Sequence, residues 1–98
     1  MKVIWEDDAF NDLKEAIDFI SIKSPQNAMM VLEGLLEFAE TLSFMSEKFP
    51  VEPAYNNISV RSITKYNHKL IYQIRENNII ILRVFPAKQN PDKIFRKK

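Results

Sequence analysis

The chain has 98 residues, 46% hydrophobic and 28% charged, which supplies one core, falls short of two, and separates it from disordered chains. With no Cys, a single His (His68) and a single Gly (Gly34), it excludes disulfides, thiolate or His-rich metal sites, thiol nucleophiles and Gly-rich phosphate loops. The net charge of +1 conceals a division: residues 1–50 carry four Lys against ten acids, net −6, and residues 51–98 carry ten Lys or Arg against three acids, net +7. That asymmetry suits a polyanion-binding surface and equally two halves that neutralise each other across one fold.

No apolar run approaches the roughly 20 residues of a membrane span, and Met1-Lys2-Val3-Ile4-Trp5-Glu6 turns acidic too early for a signal peptide. A cytoplasmic protein with no membrane partner is expected. Val3-Ile4-Trp5 reads as a first strand, and Asp7 or Asp8 offers an N-cap carboxylate to a helix carrying Phe10, Leu13, Ile17 and Ile20 on one face. Ser24-Pro25 restarts a second helix, because Ser caps and Pro is pre-set for the first helical position. Its apolar stripe is Ala28, Val31, Leu32, Leu35, Ala39 and Leu42, with Gly34 inside it allowing a close helix contact. A short link makes the two helices an antiparallel hairpin.

Pro50 and Pro53 mark a loop over about 46–57, and strands follow at about 58–63, 69–75 and 79–85, rich in β-branched residues. The class is α+β in the order β-α-α-β-β-β: a helical hairpin on a small, mainly antiparallel twisted sheet, one domain over 1–98 with a flexible basic tail in its last few residues. Paired residues on antiparallel strands share a side, so a three-residue Glu76-Asn77-Asn78 loop is expected to pair Ile74 with Ile80, Tyr72 with Leu82 and Leu70 with Val84. With Ile58 and Val60 in the core, the same parity puts Arg61 on the face of Lys69 and Arg83.

Like charges gathered on a sheet suggest a phosphate-facing surface, with Tyr66 and Phe85 as nearby aromatic faces; an ordinary solvated sheet face is the more frequent arrangement. Lys88, Lys93, Arg96, Lys97 and Lys98 extend the basic character to the end of the chain. His68 titrates near neutral pH in isolation, yet no orienting partner is evident and it reads as a loop histidine. Asp7, Asp8, Trp5, Phe10, Met29 and Met30 read as capping and packing residues.

The order Val3-Ile4-Trp5, Ala9 and Leu13, Ser24-Pro25 with Ala28, Val60-Arg61, Lys69-Leu70-Ile71-Tyr72-Gln73-Ile74, and Val84-Phe85 with Lys88-Gln89-Asn90-Pro91 resembles the RelE/ParE superfamily of bacterial type II toxin–antitoxin toxins, often tied to plasmid stabilisation. The resemblance implies a compact toxin held inactive by a cognate antitoxin, without metal or cofactor. RelE-like members cleave messenger RNA in the ribosome through basic residues, the reading that the basic face favours; ParE-like members share the fold and inhibit DNA gyrase without nuclease activity, and a degenerate toxin would keep only the fold and antitoxin binding. On the first reading, a metal-independent endoribonuclease, Arg61, Lys69 and Lys88 would be catalytic, and Arg61, Lys65, Lys69, Arg83, Lys88, Gln89 and Phe95 would contact RNA. Lys69 stands where the RelE-type motif usually has Arg, Lys88 or Gln89 where another Arg is expected, and Phe95 where those enzymes tend to carry a Tyr. Phe stacks on a base but exchanges no proton.

Overall fold

The computed structural model describes residues 1–88. Six elements form in the expected order: β1 (Val3–Trp5), α1 (Asp7–Lys23), α2 (Pro25–Thr41), β2 (Val60–Lys65), β3 (His68–Arg75) and β4 (Asn78–Pro86). The sheet has four strands in the order β1-β4-β3-β2; β1 runs parallel to β4 and the other pairings are antiparallel. β1 reaches only residues 79–81 of β4, so the rest of that strand passes beyond it as a sheet edge.

The N-cap of α1 is Glu6, with no side-chain bond, so Asp7 and Asp8 lie in the first turn instead of capping it, where their charge favours the helix dipole. Ser24 both ends α1, its N–H donating to the Ile20 carbonyl, and opens α2, its Oγ accepting from Asn27 N–H at 3.1 Å with Pro25 in the first turn. One residue therefore makes the whole link, and the helices fold back as a tight hairpin. Ala9 and Leu13 of α1, Val31, Leu35 and Ala39 of α2, and Leu42 close a core over Leu70, Tyr72, Ile79, Ile81 and Val84 on one face of the sheet. Small residues at 9 and 39 let helix backbones approach, and burial of these apolar groups at about 25 cal/mol per Å² is the main stabilising force.

The β3–β4 hairpin corrects the expected three-residue loop. The turn is Glu76-Asn77, both left-handed with φ of 50° and 64°, which pairs Arg75 with Asn78, Ile74 with Ile79 and Tyr72 with Ile81. A bulge then inserts Leu82, after which Ile71 meets Arg83 and Leu70 meets Val84. The odd residue that parity requires thus sits inside β4 and not in the loop, so Ile79 and Ile81 take the core places expected for Ile80 and Leu82.

The phase of β2 is corrected as well. Arg61 pairs with Tyr72 and Val60 with Gln73, which turns Arg61 toward the helices and Val60 away from them; Ile58 is 82% exposed. The physical reason is a second small core on the far face, where Val60, Ile71 and Phe85 pack with Tyr55 and Leu82. The segment 42–59 starts on the helix side, where Leu42 and Phe49 join the main core, runs along the outer edge of β2 and reaches that far face at Tyr55: Glu52 N–H donates to Val60 C=O, Ser62 N–H donates to Pro50 C=O, and Val51 bridges to Arg61.

Candidate functional site

Three of the expected cations are engaged within the chain. Arg83 makes a forked ion pair with Asp12 of α1, Nε to Oδ2 at 2.6 Å and a terminal nitrogen to Oδ1 at 2.9 Å, and Asp12 Oδ2 also accepts Val84 N–H from the β4 edge. The hydrogen bonds from Arg83 to Asp12 outweigh burial and raise the guanidinium pKa further. Lys69 Nζ lies 2.5 Å from Glu52 Oε1, and Glu52 is 1% exposed. Burial pushes the Glu52 carboxyl up, but hydrogen bonds from Lys69, from Ala54 N–H and from Ser62, with the Lys69 charge, hold it below its ordinary value.

Arg61 donates from Nη1 to the carbonyls of Phe49, at 2.6 Å, and Glu47, at 3.3 Å; its buried Nε has no hydrogen-bond partner among the described residues. Beside it Tyr72 Oη donates to Ser46 C=O at 2.5 Å, and burial pushes that phenol up to about 12. Arg61 and Tyr72 thus pin the segment that leaves α2. Lys65 shares the helix-facing side of β2 with Arg61, its ammonium 5.3 Å from the centre of the Phe38 ring.

The expected basic face is therefore divided: Arg61 and Lys65 lie on the helix side, while Lys69 and Arg83, which pair with Phe85 and Ile71, share the opposite face as expected. Gln89 and Phe95 lie outside the described residues. Lys88, the last described residue, lies at the rim of a groove of about 840 Å³ that runs between α1, α2, the turn between β2 and β3, and the end of β4. Phe19, Ile20, Val31 and Val84 give it an apolar lining; Asn27, His68, Arg83 and Lys88 are polar groups along it. Among the described residues no cluster of three or more His, Asp or Glu is disposed to hold a metal ion, and no helix is long and apolar enough to cross a membrane.

His68 was legible only as a loop histidine, yet it opens β3, is 7% exposed and places Nδ1 2.9 Å from the Tyr66 carbonyl. A carbonyl only accepts, so Nδ1 carries the proton and the imidazole has an orienting partner two residues away. Gly34 also has an unexpected neighbour: the Tyr66 ring lies over it, and a Cβ built there would come within 2.8 Å of Tyr66 Oη while overlapping the ring carbons. The missing signals are Glu52 and Asp12, two acids in a charge count that pair with the expected cations at separations of 17 and 71 residues.

A family model described as the ParE toxin of the type II toxin–antitoxin system parDE matches residues 3–91. No curated protein matches the chain in sequence. Among solved structures, the fold is similar to a chain of the chromosomal ParDE TA system from P. aeruginosa, with a TM-score of 0.73 and 20% identity over 90% of this chain and 97% of that one. A chain of the toxin–antitoxin complex RelBE2 from Mycobacterium tuberculosis superposes with a TM-score of 0.62 and 22% identity, over 87% and 95% of the two chains. The isolated E. coli RelE toxin gives 0.63 and 12%, over 99% and 98%.

Proposed function

The chain belongs to the ParE toxin family of type II toxin–antitoxin systems, and from that premise we propose that it acts as a ParE-like, non-enzymatic inhibitor of DNA gyrase held inactive by a cognate antitoxin. The observation that carries this reading over RNA cleavage is the engagement of Arg61, Lys69 and Arg83 by main-chain carbonyls, Glu52 and Asp12. A guanidinium whose fork is filled by a carboxylate clamps a phosphate only after giving up a bidentate pair, and the Lys69 amine is paired with the buried Glu52 carboxylate. In-line attack by a ribose 2′-hydroxyl also needs a proton acceptor and a proton donor, and neither Arg61 nor Arg83 supplies one at ordinary pH. A ribosome-dependent messenger RNA nuclease would rest on Lys65 and Lys88, cations with no carboxylate within 4.0 Å among the described residues.

The antitoxin follows from family membership, and two of the similar solved structures are toxin–antitoxin systems. On this chain Phe19, Ile22, Met29 and Met30 of the hairpin are more than half exposed, apolar surface that an antitoxin segment folding on binding would cover.

Induced expression is expected to arrest growth, and co-expression of the small protein encoded beside it should relieve the arrest. The purified chain should block supercoiling by gyrase in vitro while primer extension finds transcripts intact in arrested cells. Breaks at translated codons with supercoiling undisturbed would overturn the gyrase reading in favour of the nuclease.

A further inference from the structure

We infer that the Tyr66-Asn67 turn is a mechanical link between helix α2 and the point where the chain leaves β4, so that displacing Tyr66 from Gly34 repositions Lys88. Four observations form a continuous path. The Tyr66 ring is seated on the chain's single glycine, at the one place on α2 where no side chain stands in its way. Tyr66 and Asn67 are both left-handed, with φ of 52° and 63°, a conformation that Asn adopts readily and Tyr does not, so the turn needs external support.

That support comes from His68, whose Nδ1–H holds the Tyr66 carbonyl at 2.9 Å, and from Ala87, whose N–H donates to the Asn67 carbonyl at 2.9 Å. Ala87 is bonded to Lys88, and both line the groove that Tyr66, Asn67 and His68 also line. The two states are the ring seated on Gly34 and the ring displaced. In the second the turn loses its rest on α2, and the Ala87 bond is the contact that transmits the movement. The link rests on the toxin reading only in naming its natural load: an antitoxin on the hairpin that moves Tyr66 would shift Lys88 without touching it.

Gly34→Ala applies that load in the full chain with no partner present, because the new methyl occupies the seat of the ring. Amide hydrogen exchange followed by NMR should then show Ala87 exchanging about tenfold faster or more, with the Leu35 and Ile81 amides unchanged. Adding Tyr66→Asn to Gly34→Ala should return Ala87 to its original rate, since Asn keeps the left-handed turn and carries no ring to displace. Tyr66→Trp loads the seat from the turn side and leaves α2 untouched, so it tests the link even where Gly34→Ala does not fold. Unchanged exchange at Ala87 in these variants, or equal acceleration at all three amides, would overturn the coupling. Gyrase, RNA and antitoxin are absent from the measurement, so its failure is distinct from failure of the toxin assignment.

Discussion

Glu52 and Asp12 each hold a cation of the basic half and a main-chain N–H, and removing either leaves more than one partner exposed to its loss. Asp12→Ala would free the Arg83 guanidinium and Val84 N–H together, and is expected to cost about 3 kcal/mol in urea unfolding. Lys69→Met would strand a carboxylate that is nearly inaccessible to water, at about 3 kcal/mol, and pairing it with Glu52→Gln should cost less than the sum of the two. The acid dependence follows from the direction of the Glu52 shift. Its pKa is lower in the folded chain than the ordinary 4.5, so the stability it contributes is whole above pH 4.5 and is lost as the pH falls through the lower folded value. The thermal midpoint should drop over that interval, and Glu52→Gln should flatten that part of the profile. None of these pairings was legible in the sequence, because Lys69, Arg83 and Arg61 announce charge without announcing who neutralises it.

The elements themselves were largely legible, and the reason is local chemistry. Ser24-Pro25 carries its own instruction, a hydroxyl for the Asn27 N–H and a ring that fixes the first turn, and Ser24→Ala is expected to cost about 1 kcal/mol measured by thermal unfolding. Gly34→Ala should change overall stability by less than about 1 kcal/mol, since better helix propensity opposes the lost Tyr66 contact. The β3–β4 register was beyond local signals: Glu76-Asn77 and Asn77-Asn78 are both credible turn pairs, and alternation alone does not locate an extra residue. Leu82 as a bulge decides it through packing, because Tyr55, Val60, Ile71 and Phe85 offer it an apolar surface on the far side of the sheet.

Across the whole molecule, the charge asymmetry read in the sequence resolves into neutralisation to a substantial degree. The acidic hairpin meets the basic half through Asp12 and Arg83, and the segment between α2 and β2 brings Glu52 to Lys69. Over about 46–57 that segment carries no periodicity in the sequence, only the Pro50 and Pro53 signals of a loop. It lines the outer edge of β2, reaches the far sheet face at Tyr55 and is tied down by Arg61 and Tyr72, so Tyr72→Phe should lower the unfolding free energy by about 1 kcal/mol and raise hydrogen exchange over 46–52. The candidate site was legible as a list of residue types and not as a place. Periodicity can assign residues to a face only when it is known which faces are covered, and here both are.

The brevity of β1 has one more consequence. Where β4 runs on past Trp5, its main chain presents hydrogen-bonding groups that would template strand pairing with another molecule, and the Asp12 carboxylate occupies one of them, Val84 N–H, while Pro86 offers no donor at all. A side chain from a helix and an imino acid thus remove two of the donors that strand pairing along this edge would use. Replacing Asp12 should therefore raise light scattering and lower the yield of dispersed protein at concentrations where the parent chain stays in solution, a loss in excess of what reduced folding stability alone produces.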